Sequence, residues 1–286
     1  MRTGRAQLFL RVILLTTFAL VAFAFNSILC RMALRTGEAD AAGFTAVRLA
    51  SGAVALIVIS YLFSTGKSLN RGNWISAFFL FAYAICFSFA YLGLTAAAGA
   101  LILFSAVQFT MIAAALIRGE RPHRLEWFGL VVAFGGLVYL VFPGLSSPPL
   151  FASVLMAAAG VAWGFYTLRG KGSGDPLGDT TGNFIRSVPM IVIAAVPFFA
   201  QINLSTRGIV LAVLSGAIAS GVGYTVWYLA LKHHTATRAA VLQLAVPVIA
   251  AFGGVMLLSE AMSVRLVIAS ALILGGIAMT IFGRKR

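Results

Sequence analysis

Charged residues are few in this chain, and their scarcity limits the class of protein it can be. Only 10% of the 286 residues are charged, while 61% are hydrophobic and the mean hydropathy is +1.00. A soluble domain has no use for so much apolar surface, whereas a chain that spans a membrane does. Cysteine is also scarce: Cys30 and Cys86 lie far apart in apolar runs, which argues against a disulfide framework and a metal site.

Carboxylates and histidines are missing from the interior of the apolar runs. An intramembrane enzyme needs a nucleophile with a base, or a metal cluster, and a proton relay uses Asp, Glu or His inside the membrane. The sequence therefore argues against an enzyme and predicts no buried proton-coupling carboxylate. Glu120 and Glu260 are expected to stabilise the positive N-terminal ends of the helices that follow them. The acids and histidines, all in connections or at run ends, are Glu38, Asp40, Glu120, Glu126, Asp175, Asp179, Glu260, His123, His233 and His234.

Basic residues outnumber acidic ones by 21 to 7, which gives a net charge of +14. In a soluble protein this excess would favour a nucleic-acid partner, but here the lysines and arginines lie in short connections, where they set membrane topology. A membrane-crossing helix needs about 20 mostly apolar residues. The runs predict an all-α integral membrane protein with ten transmembrane helices, at residues 10–32, 43–63, 73–94, 98–118, 125–142, 149–168, 181–200, 208–231, 237–258 and 264–282.

The distribution of lysine and arginine orients the predicted spans. With the N-terminus inside, the cytoplasmic side receives Arg2, Arg5, Arg11, Lys67, Arg71, Arg118, Arg121, Arg124, Arg169, Lys171, Lys232, Arg238, Arg284, Lys285 and Arg286. The outer side receives only Arg31, Arg35, Arg207 and Arg265, and Arg48 and Arg186 fall within spans. The positive-inside rule then places the N- and C-termini in the cytoplasm.

The chain repeats itself at offsets that drift only from 137 to 140 residues. The matching pairs are Tyr91-Leu92 with Tyr228-Leu229, Arg31 with Arg169, Arg48 with Arg186, Glu120 with Glu260, Gly135-Gly136 with Gly275-Gly276, and Phe142 with Phe282. The pairs predict two homologous halves, residues 1–145 and 146–286. Because each half holds five spans, the second half is expected to be inverted, which is the architecture of secondary transporters. The basic N-terminus and Ala22-Phe23-Ala24 also fit a cleaved signal peptide, but the repeat gives the first span a counterpart and favours a membrane helix.

The second span of each half opens with a similar motif. Together with the Glu120 and Glu260 turns and the Gly-Gly pairs, this motif resembles the EamA-type half of the drug/metabolite transporter superfamily over nearly the whole chain. Within that superfamily the chain is most similar to bacterial aromatic amino acid exporters, although the membrane glutamate of the four-helix multidrug exporters has no equivalent in span 1. The motif is Phe44-x-x-x-Arg48 in the first half and Gly182-Asn183-Phe184-Ile185-Arg186 in the second.

Polar and aromatic side chains inside the spans are the candidates for a transport pathway. Tyr83, Phe87 and Tyr91 recur every four residues and so share one face of their helix. We expect a weakly polar, aromatic cavity between spans 1, 3, 4, 6, 8 and 9, and ordinary helix packing or interhelical hydrogen bonding remains the alternative for each residue. The candidate substrate-binding residues are Asn26, Tyr83, Phe87, Gln108, Trp163, Tyr224, Trp227 and Gln243.

Three further residues have open roles. Arg48 and Arg186 are expected to lie equally deep, about 7.5 Å from opposite faces, at 1.5 Å per residue of helix. They either bond to neighbouring helix carbonyls in a structural role or attract a substrate carboxylate at each mouth. Pro247 removes a backbone hydrogen bond within span 9, which is compatible with a hinge or with simple packing tolerance.

The sequence thus predicts a secondary transporter that exports amino acids, aromatic and other neutral ones, by alternating access. Efflux of amphipathic drugs or organic cations stays open, as does a carrier for another metabolite such as a nucleotide sugar. The expected partners are a small-molecule substrate and the lipid bilayer, with no cofactor, metal or nucleic acid. A monomer is expected and a dimer is left open.

Overall fold

The protein is helical throughout the part that the computed structural model describes, residues 2–63, 71–117, 124–142, 147–234, 239, 242, 243 and 245–282. The described residues form no β-strand, and an isolated antiparallel bridge joins Ala39 and Leu204. The helices are α1 (Arg2–Arg35), α2 (Ala41–Phe63), α3 (Trp74–Ala90), α4 (Ala96–Ile117), α5 (Arg124–Val141), α6 (Leu150–Gly170), α7 (Pro176–Ala195), α8 (Thr206–Leu231), α9 (Ala245–Leu258) and α10 (Val264–Phe282).

Length and composition make this a multi-pass membrane protein. Among the described residues, six helices are long and apolar enough to cross a membrane: Gln7–Arg35, Ala41–Leu62, Ala96–Ala114, Leu150–Gly170, Pro176–Gln201 and Thr206–Leu231. Four apolar helices are shorter: Trp74–Ala90, Trp127–Val141, Ala245–Leu258 and Val264–Met279. The all-α membrane fold is therefore confirmed, whereas the number of ten spans stays a prediction.

The start of α7 differs from the prediction, which placed it at residue 181. The helix begins at Pro176, because the Asp175 side chain accepts a hydrogen bond from the Gly178 amide at 3.0 Å and caps the first turn. Proline suits this first position, since it has no amide hydrogen to leave unpaired. At its other end α7 tightens into a 3₁₀ turn, Val196–Gln201.

The helix contacts follow a two-fold pattern. Helix α2 packs against α7 and α5 packs against α10, while α3 and α4 pack on α6 as α8 and α9 pack on α1. Exchanging each helix for the one five places along the chain turns this set of contacts into itself. The boundary predicted at residue 145 lies outside the described residues, and the inversion of the second half stays a prediction.

The α5–α10 contact depends on one glycine of each Gly-Gly pair. A Cβ on Gly136 would lie 2.7 Å from Leu272 Cβ, and one on Gly276 would lie 2.5 Å from the Gly129 carbonyl oxygen. The two backbones therefore approach more closely than any larger residue permits, as at other small-residue crossings of membrane helices. Gly135 and Gly275 would meet nothing within 4 Å.

Connections predicted to share a side of the membrane contact one another. The α1–α2 turn meets the α7–α8 connection, where the Asp40 amide donates to the Asn203 carbonyl oxygen at 3.0 Å. The α2–α3 connection meets the start of α7, where the Gly72 amide donates to Asp179 Oδ1 at 3.3 Å. These contacts agree with helices that cross in alternate directions. Which side faces the cytoplasm stays a prediction.

Glu260 lies between α9 and α10, but it does not serve the helix that follows it. Its Oε1 pairs with Arg31 Nε at 3.1 Å, and its Oε2 accepts from the Ala96 amide at 2.8 Å, at the start of α4. The expectation that Glu260 supports α10 is wrong, because the ion pair with Arg31 turns the carboxylate toward the other half; Ser263 Oγ accepts from Leu266 in the first turn of α10. Glu120 lies outside the described residues.

Candidate functional site

Arg48 on α2 is the centre of a buried polar cluster. Its side chain is among the largest in the molecule to be fully buried, with 1% of the residue exposed. Nε donates to Ser220 Oγ at 3.1 Å, and Nη2 donates to the hydroxyls of Tyr83 at 3.1 Å and Tyr224 at 2.8 Å. The guanidinium is thus held by hydroxyl groups from α3 and α8.

Asn26 on α1 ties the same hydroxyls to a third helix. Its Nδ2 donates to Tyr83 Oη at 3.0 Å, and its Oδ1 accepts from Ser215 Oγ at 2.5 Å. The Tyr224 and Tyr83 hydroxyls are hydrogen-bonded to each other at 3.2 Å. Since buried polar groups are costly unless satisfied, such a network fixes the relative positions of the helices that supply it.

The middle of α8 is π-helical. Two residues of the polar cluster lie in this π segment, and a third follows it. The π segment, Leu214–Val222, carries Ser215 and Ser220, and Tyr224 follows it. A Cβ on Gly216 would lie 2.1 Å from the Arg48 carbonyl oxygen, so glycine is needed for α2 and α8 to approach here. π segments within α-helices occur frequently at functional sites, since the wider turn re-aims side chains.

An aromatic cavity adjoins the cluster. Its walls come from α1, α3, α4, α6 and α8, and they are Phe23, Tyr83, Phe87, Leu103, Phe104, Trp163 and Tyr224. The ring centroid of Trp163 lies 4.5 Å from that of Tyr224 and 5.1 Å from that of Tyr83. The cavity volume is about 10 Å³, room for one water molecule at most. The wall side chains therefore fill nearly all of the space between these helices.

The charge of Arg48 has no carboxylate partner among the described residues. The guanidinium carbon instead lies over the rings of Tyr83, 5.1 Å from the centroid, and Phe87, 4.9 Å from it. Cation–π contacts of this kind stabilise a desolvated cation by about 2 kcal/mol. Arg48 Nη1 and the indole Nε1 of Trp163 are buried without a hydrogen-bond partner. The wall residue Trp163 and the neighbouring Arg48 thus each carry an unpaired donor.

Most of the residues proposed from the sequence meet at this point. Asn26, Tyr83, Phe87, Trp163 and Tyr224 line the cavity or belong to the polar cluster beside it. The other three predicted residues are buried, but they do not line this cavity in the part of the chain that is described, and they are Gln108, Trp227 and Gln243. Of these, Trp227 contacts Phe23 edge-on at a centroid distance of 5.6 Å. Gln243 donates to the Ala239 carbonyl of its own chain segment at 3.5 Å.

Arg186 does not mirror Arg48. It is partly exposed, and its Nη1 donates to the carbonyl oxygens of Arg71 at 2.7 Å and Gly182 at 3.0 Å. Arg48 reaches no neighbouring carbonyl and bonds to buried hydroxyls instead. The equal depth of the two arginines in the membrane stays a prediction, but their surroundings differ because the α2–α3 connection supplies a carbonyl acceptor for Arg186.

Pro247 lies in α9 beside an apolar groove between α4, α9 and α10, with Val248 and Phe252 as neighbours. Its proposed role as a hinge stays a prediction. The groove is lined almost entirely by hydrocarbon side chains, as expected for a surface that faces lipid acyl chains.

Three important residues were missed by the sequence argument. Phe23 contacts Trp163, Tyr224 and Trp227, all at centroid distances of 5.6 to 5.7 Å. Ser215 and Ser220 are fully buried acceptors or donors of the cluster. Their small polar side chains in an apolar span were the available signal, but α-helical periodicity does not place them together because the segment is π-helical.

A second, polar pocket of about 90 Å³ lies where α3 and α7 begin and α6 and α8 end. Arg169 crosses it, donating from Nε to Ser76 Oγ at 3.0 Å and from Nη2 to Asn73 Oδ1 at 3.1 Å. Tyr228 closes the inner side, with its hydroxyl donating to the Tyr166 carbonyl oxygen at 3.3 Å. The pocket lies on the predicted cytoplasmic side of the central cluster.

Comparison with known proteins identifies the family. The model of the EamA-like transporter family matches the chain twice, at residues 10–142 and 150–282. The chain belongs to the EamA-like transporter family. The two matched ranges correspond to the two sets of five helices. Members of this family are transporters, so the chain is a transporter and not an enzyme.

Relatives extend the similarity to named proteins. The chain is 47% identical over 274 residues to an uncharacterised protein of Pseudomonas aeruginosa, covering 96% of each chain. It is 27% identical to an uncharacterised transporter of Archaeoglobus fulgidus, over 77% of this chain and 79% of that one. It is 25% identical to a probable amino-acid metabolite efflux pump of Escherichia coli, over 76% and 77%. A crystal structure of a protein with 19% identity superposes with a TM-score of 0.68 over 96% of this chain and 98% of that one, and so has the same fold.

Proposed function

We propose that this EamA-like transporter exports neutral amino acids, aromatic ones among them, through the central cavity by alternating access. The observation that carries the proposal is the aromatic lining, to which both halves contribute. Tyr83 and Phe87 come from the first half, and Trp163 and Tyr224 come from the second. A site shared by two repeats opens to either side when the repeats move against each other. The similarity to a probable amino-acid metabolite efflux pump supports the same substrate class.

The rings suit an aromatic or other apolar side chain of the substrate. Aromatic pairs prefer centroid separations of about 4.5–7 Å in edge-on or offset geometry. The wall rings have this spacing with each other in the closed cavity, for example 5.3 Å between Tyr83 and Phe87. Opening the cavity replaces these contacts with equivalent ones to the substrate, so that little is lost when the site is occupied.

Transport is proposed to run down the amino acid gradient, without proton coupling. The described carboxylates whose surroundings are known lie at helix ends or in connections, and their partners are backbone amides, hydroxyls and arginines. None contacts the polar cluster around Arg48. We place the protein in the bacterial inner membrane as a monomer with both termini in the cytoplasm, as its basic residues predict.

The charge in the site weighs against the other substrate classes. Organic cations would meet the like charge of Arg48 in a closed, poorly solvated space, where repulsion is strong. A nucleotide sugar carries two phosphates and suits a cluster of cations, whereas Arg48 is the one basic side chain in the described cluster. Amino acids match a single arginine beside aromatic rings.

Uptake into liposomes that contain the purified chain tests the proposal. Labelled phenylalanine should enter with saturable kinetics and without an imposed proton gradient, and unlabelled methionine and threonine should compete. A strict requirement for a proton gradient would exclude the uncoupled mechanism. Absence of uptake for every amino acid in the panel would exclude the proposed substrate class.

A further inference from the structure

The unpaired donors beside the cavity define a ligand chemistry more narrowly than the aromatic walls do. We propose that Arg48, Trp163 and the Tyr83–Tyr224 pair form a carboxylate-binding subsite, so that substrates are selected by their carboxylate whether or not they carry an amine. This inference rests on the proposed function, because it names the part of an amino acid that the same cavity recognises.

The tyrosine pair has more donor hydrogens than its neighbours can accept. Tyr83 Oη accepts from Arg48 Nη2 and from Asn26 Nδ2, and it shares a third hydrogen bond, at 3.2 Å, with the Tyr224 hydroxyl. The hydrogen bond between the Tyr83 and Tyr224 hydroxyls uses the hydrogen of one hydroxyl and leaves the hydrogen of the other. No acceptor for the other hydrogen is present among the described contacts of the pair, which leaves one tyrosine hydroxyl free to donate.

Two further donors lack acceptors and belong to residues around the same cavity. Arg48 Nη1 and Trp163 Nε1 are each buried without a partner. Their side chains are neighbours through Tyr83, whose ring centroid is 5.1 Å from that of Trp163 and 5.1 Å from the Arg48 guanidinium carbon. Arginine and tryptophan side chains donate hydrogen bonds and accept none. A buried donor without an acceptor is costly, so the arrangement favours a ligand rich in acceptors.

The positive charge of Arg48 also favours a carboxylate as the ligand. Arg48 places a full positive charge beside the cavity, against the rings of Tyr83 and Phe87 that line it, and no described carboxylate neutralises this charge. A carboxylate supplies the opposite charge and, with two oxygens, accepts several charge-assisted hydrogen bonds at once. A neutral acceptor would satisfy the donors and leave the charge uncompensated.

Among the described side chains around the cavity, an ammonium group finds ring faces but no carboxylate, and the rings of Tyr83 and Phe87 already lie against Arg48. The acceptor of Asn26 is taken by Ser215, and the oxygens of Tyr83 and Tyr224 already accept from Arg48. The ammonium of an amino acid therefore contributes little to binding here, and an amine without a carboxylate meets a like charge. Aromatic carboxylates without an amine become predicted ligands, and aromatic amines do not.

Competition against labelled phenylalanine in proteoliposomes tests this selectivity without any variant. We expect 3-phenylpropionate to compete with an inhibition constant within about tenfold of unlabelled phenylalanine, and 2-phenylethylamine to need at least about a hundredfold higher concentration, as expected for losing several hydrogen bonds to a charged group. Equal competition by the amine and the carboxylate would overturn the proposal, as would competition by the amine alone.

Variants then assign the effect to the subsite. Arg48→Gln should weaken 3-phenylpropionate by at least about tenfold, Arg48→Lys should weaken it less, and Trp163→Phe should weaken it severalfold while keeping an aromatic wall. Arg186→Gln is the matched control, since that arginine lies in another helix and bonds to backbone carbonyls; it should leave the inhibition constant unchanged. If Arg48→Gln does not fold, the inhibition constants of 3-phenylpropionate for Arg48→Lys and Trp163→Phe test the subsite instead. Unchanged affinity in both would overturn the proposal.

A binding measurement separates failure of the subsite from failure of the proposed function. In detergent, 3-phenylpropionate should raise the unfolding temperature of the wild-type chain, and at the same concentration it should raise that of Arg48→Gln and Trp163→Phe by less. 2-Phenylethylamine should not raise that of the wild-type chain. If phenylalanine is not transported while this pattern holds, the subsite stands and amino acid export is wrong. If phenylalanine is transported while 3-phenylpropionate has no effect, amino acid export stands and the subsite is wrong.

Discussion

At the scale of single residues, the buried arginine is the feature that the sequence marked most clearly and explained least. An arginine within an apolar span stands out in composition, and a translocon-type scale gives its central insertion a cost of about 2.5–3.5 kcal/mol. The structure shows how the cost is offset: three hydroxyls accept from Arg48, and two rings lie against its guanidinium. Periodicity identifies which face of a helix a residue occupies, but it does not reveal what the facing helix presents.

Glu260 allows a residue-scale prediction about stability. Its ion pair with Arg31 is largely buried, with side-chain exposures of 7% and 15%. Glu260→Gln leaves an arginine charge without its partner, and breaking a buried pair in this way costs about 3–5 kcal/mol. We expect a clear fall in the unfolding temperature, followed by tryptophan fluorescence in detergent.

Arg207 provides the control for that variant. Its ion pair with Glu38, at 3.8 Å, involves an arginine side chain that is 61% exposed. Exposed pairs contribute about 0–1 kcal/mol, so Arg207→Gln should barely change the unfolding temperature. Equal destabilisation by the two variants would contradict the expectation that the buried Arg31–Glu260 pair contributes more to stability than the exposed pair.

At the scale of elements, the Gly-Gly pairs of α5 and α10 contain one glycine each that is needed for close helix packing and one that is not. Within the two Gly-Gly pairs, Gly136 and Gly276 face the opposing helix, whereas Gly135 and Gly275 do not. Gly276→Ala should destabilise the protein by about 1–3 kcal/mol, the usual cost of overpacking. Gly275→Ala should be neutral or stabilise it by roughly 0.5–1 kcal/mol, since alanine favours helix over glycine. Thermal unfolding of both variants checks this, and similar effects at the two positions would contradict the packing account.

Much of the element structure could be predicted from hydropathy, and the exceptions have physical causes. The start of α7 was missed because Asp175 and Pro176 cap a helix within a stretch whose glycines and charges are typical of a loop. The π segment of α8 was missed because its hydrogen bonding depends on contacts with α1 and α2 that composition does not encode. The aromatic face of α3 was found because Tyr83 and Phe87 share a face at helical spacing, and their rings do touch.

At the scale of the whole molecule, the two-fold pattern of helix contacts places the central cavity between the two halves of the chain. The walls come from both halves, and the connections at each end are tied together by hydrogen bonds such as Asp40 with Asn203 and Gly72 with Asp179. In the proposed alternating-access mechanism, these end contacts break on one side at a time while the central walls separate. The family of the chain is what a sequence repeat and weak motifs could already indicate, but its closed conformation could not be read from them.

Reporter fusions test the orientation predicted for the whole chain. Green fluorescent protein fused after Arg286 should fluoresce, and alkaline phosphatase fused there should be inactive, because the positive-inside rule places the C-terminus in the cytoplasm. A truncation fused to alkaline phosphatase after Asn203, in the α7–α8 connection, should be active and serves as the control. The reverse pattern would invert the proposed topology.

The central claim is that the closed aromatic cavity beside Arg48 is the substrate site. A structure of the full chain determined with bound phenylalanine tests it most directly. The account predicts the ring of phenylalanine among Tyr83, Phe87, Trp163 and Tyr224, with its carboxylate within hydrogen-bond distance of the Arg48 guanidinium. Phenylalanine bound only in the polar pocket at Arg169, or in the groove beside Pro247, with the central cavity still closed, would contradict it.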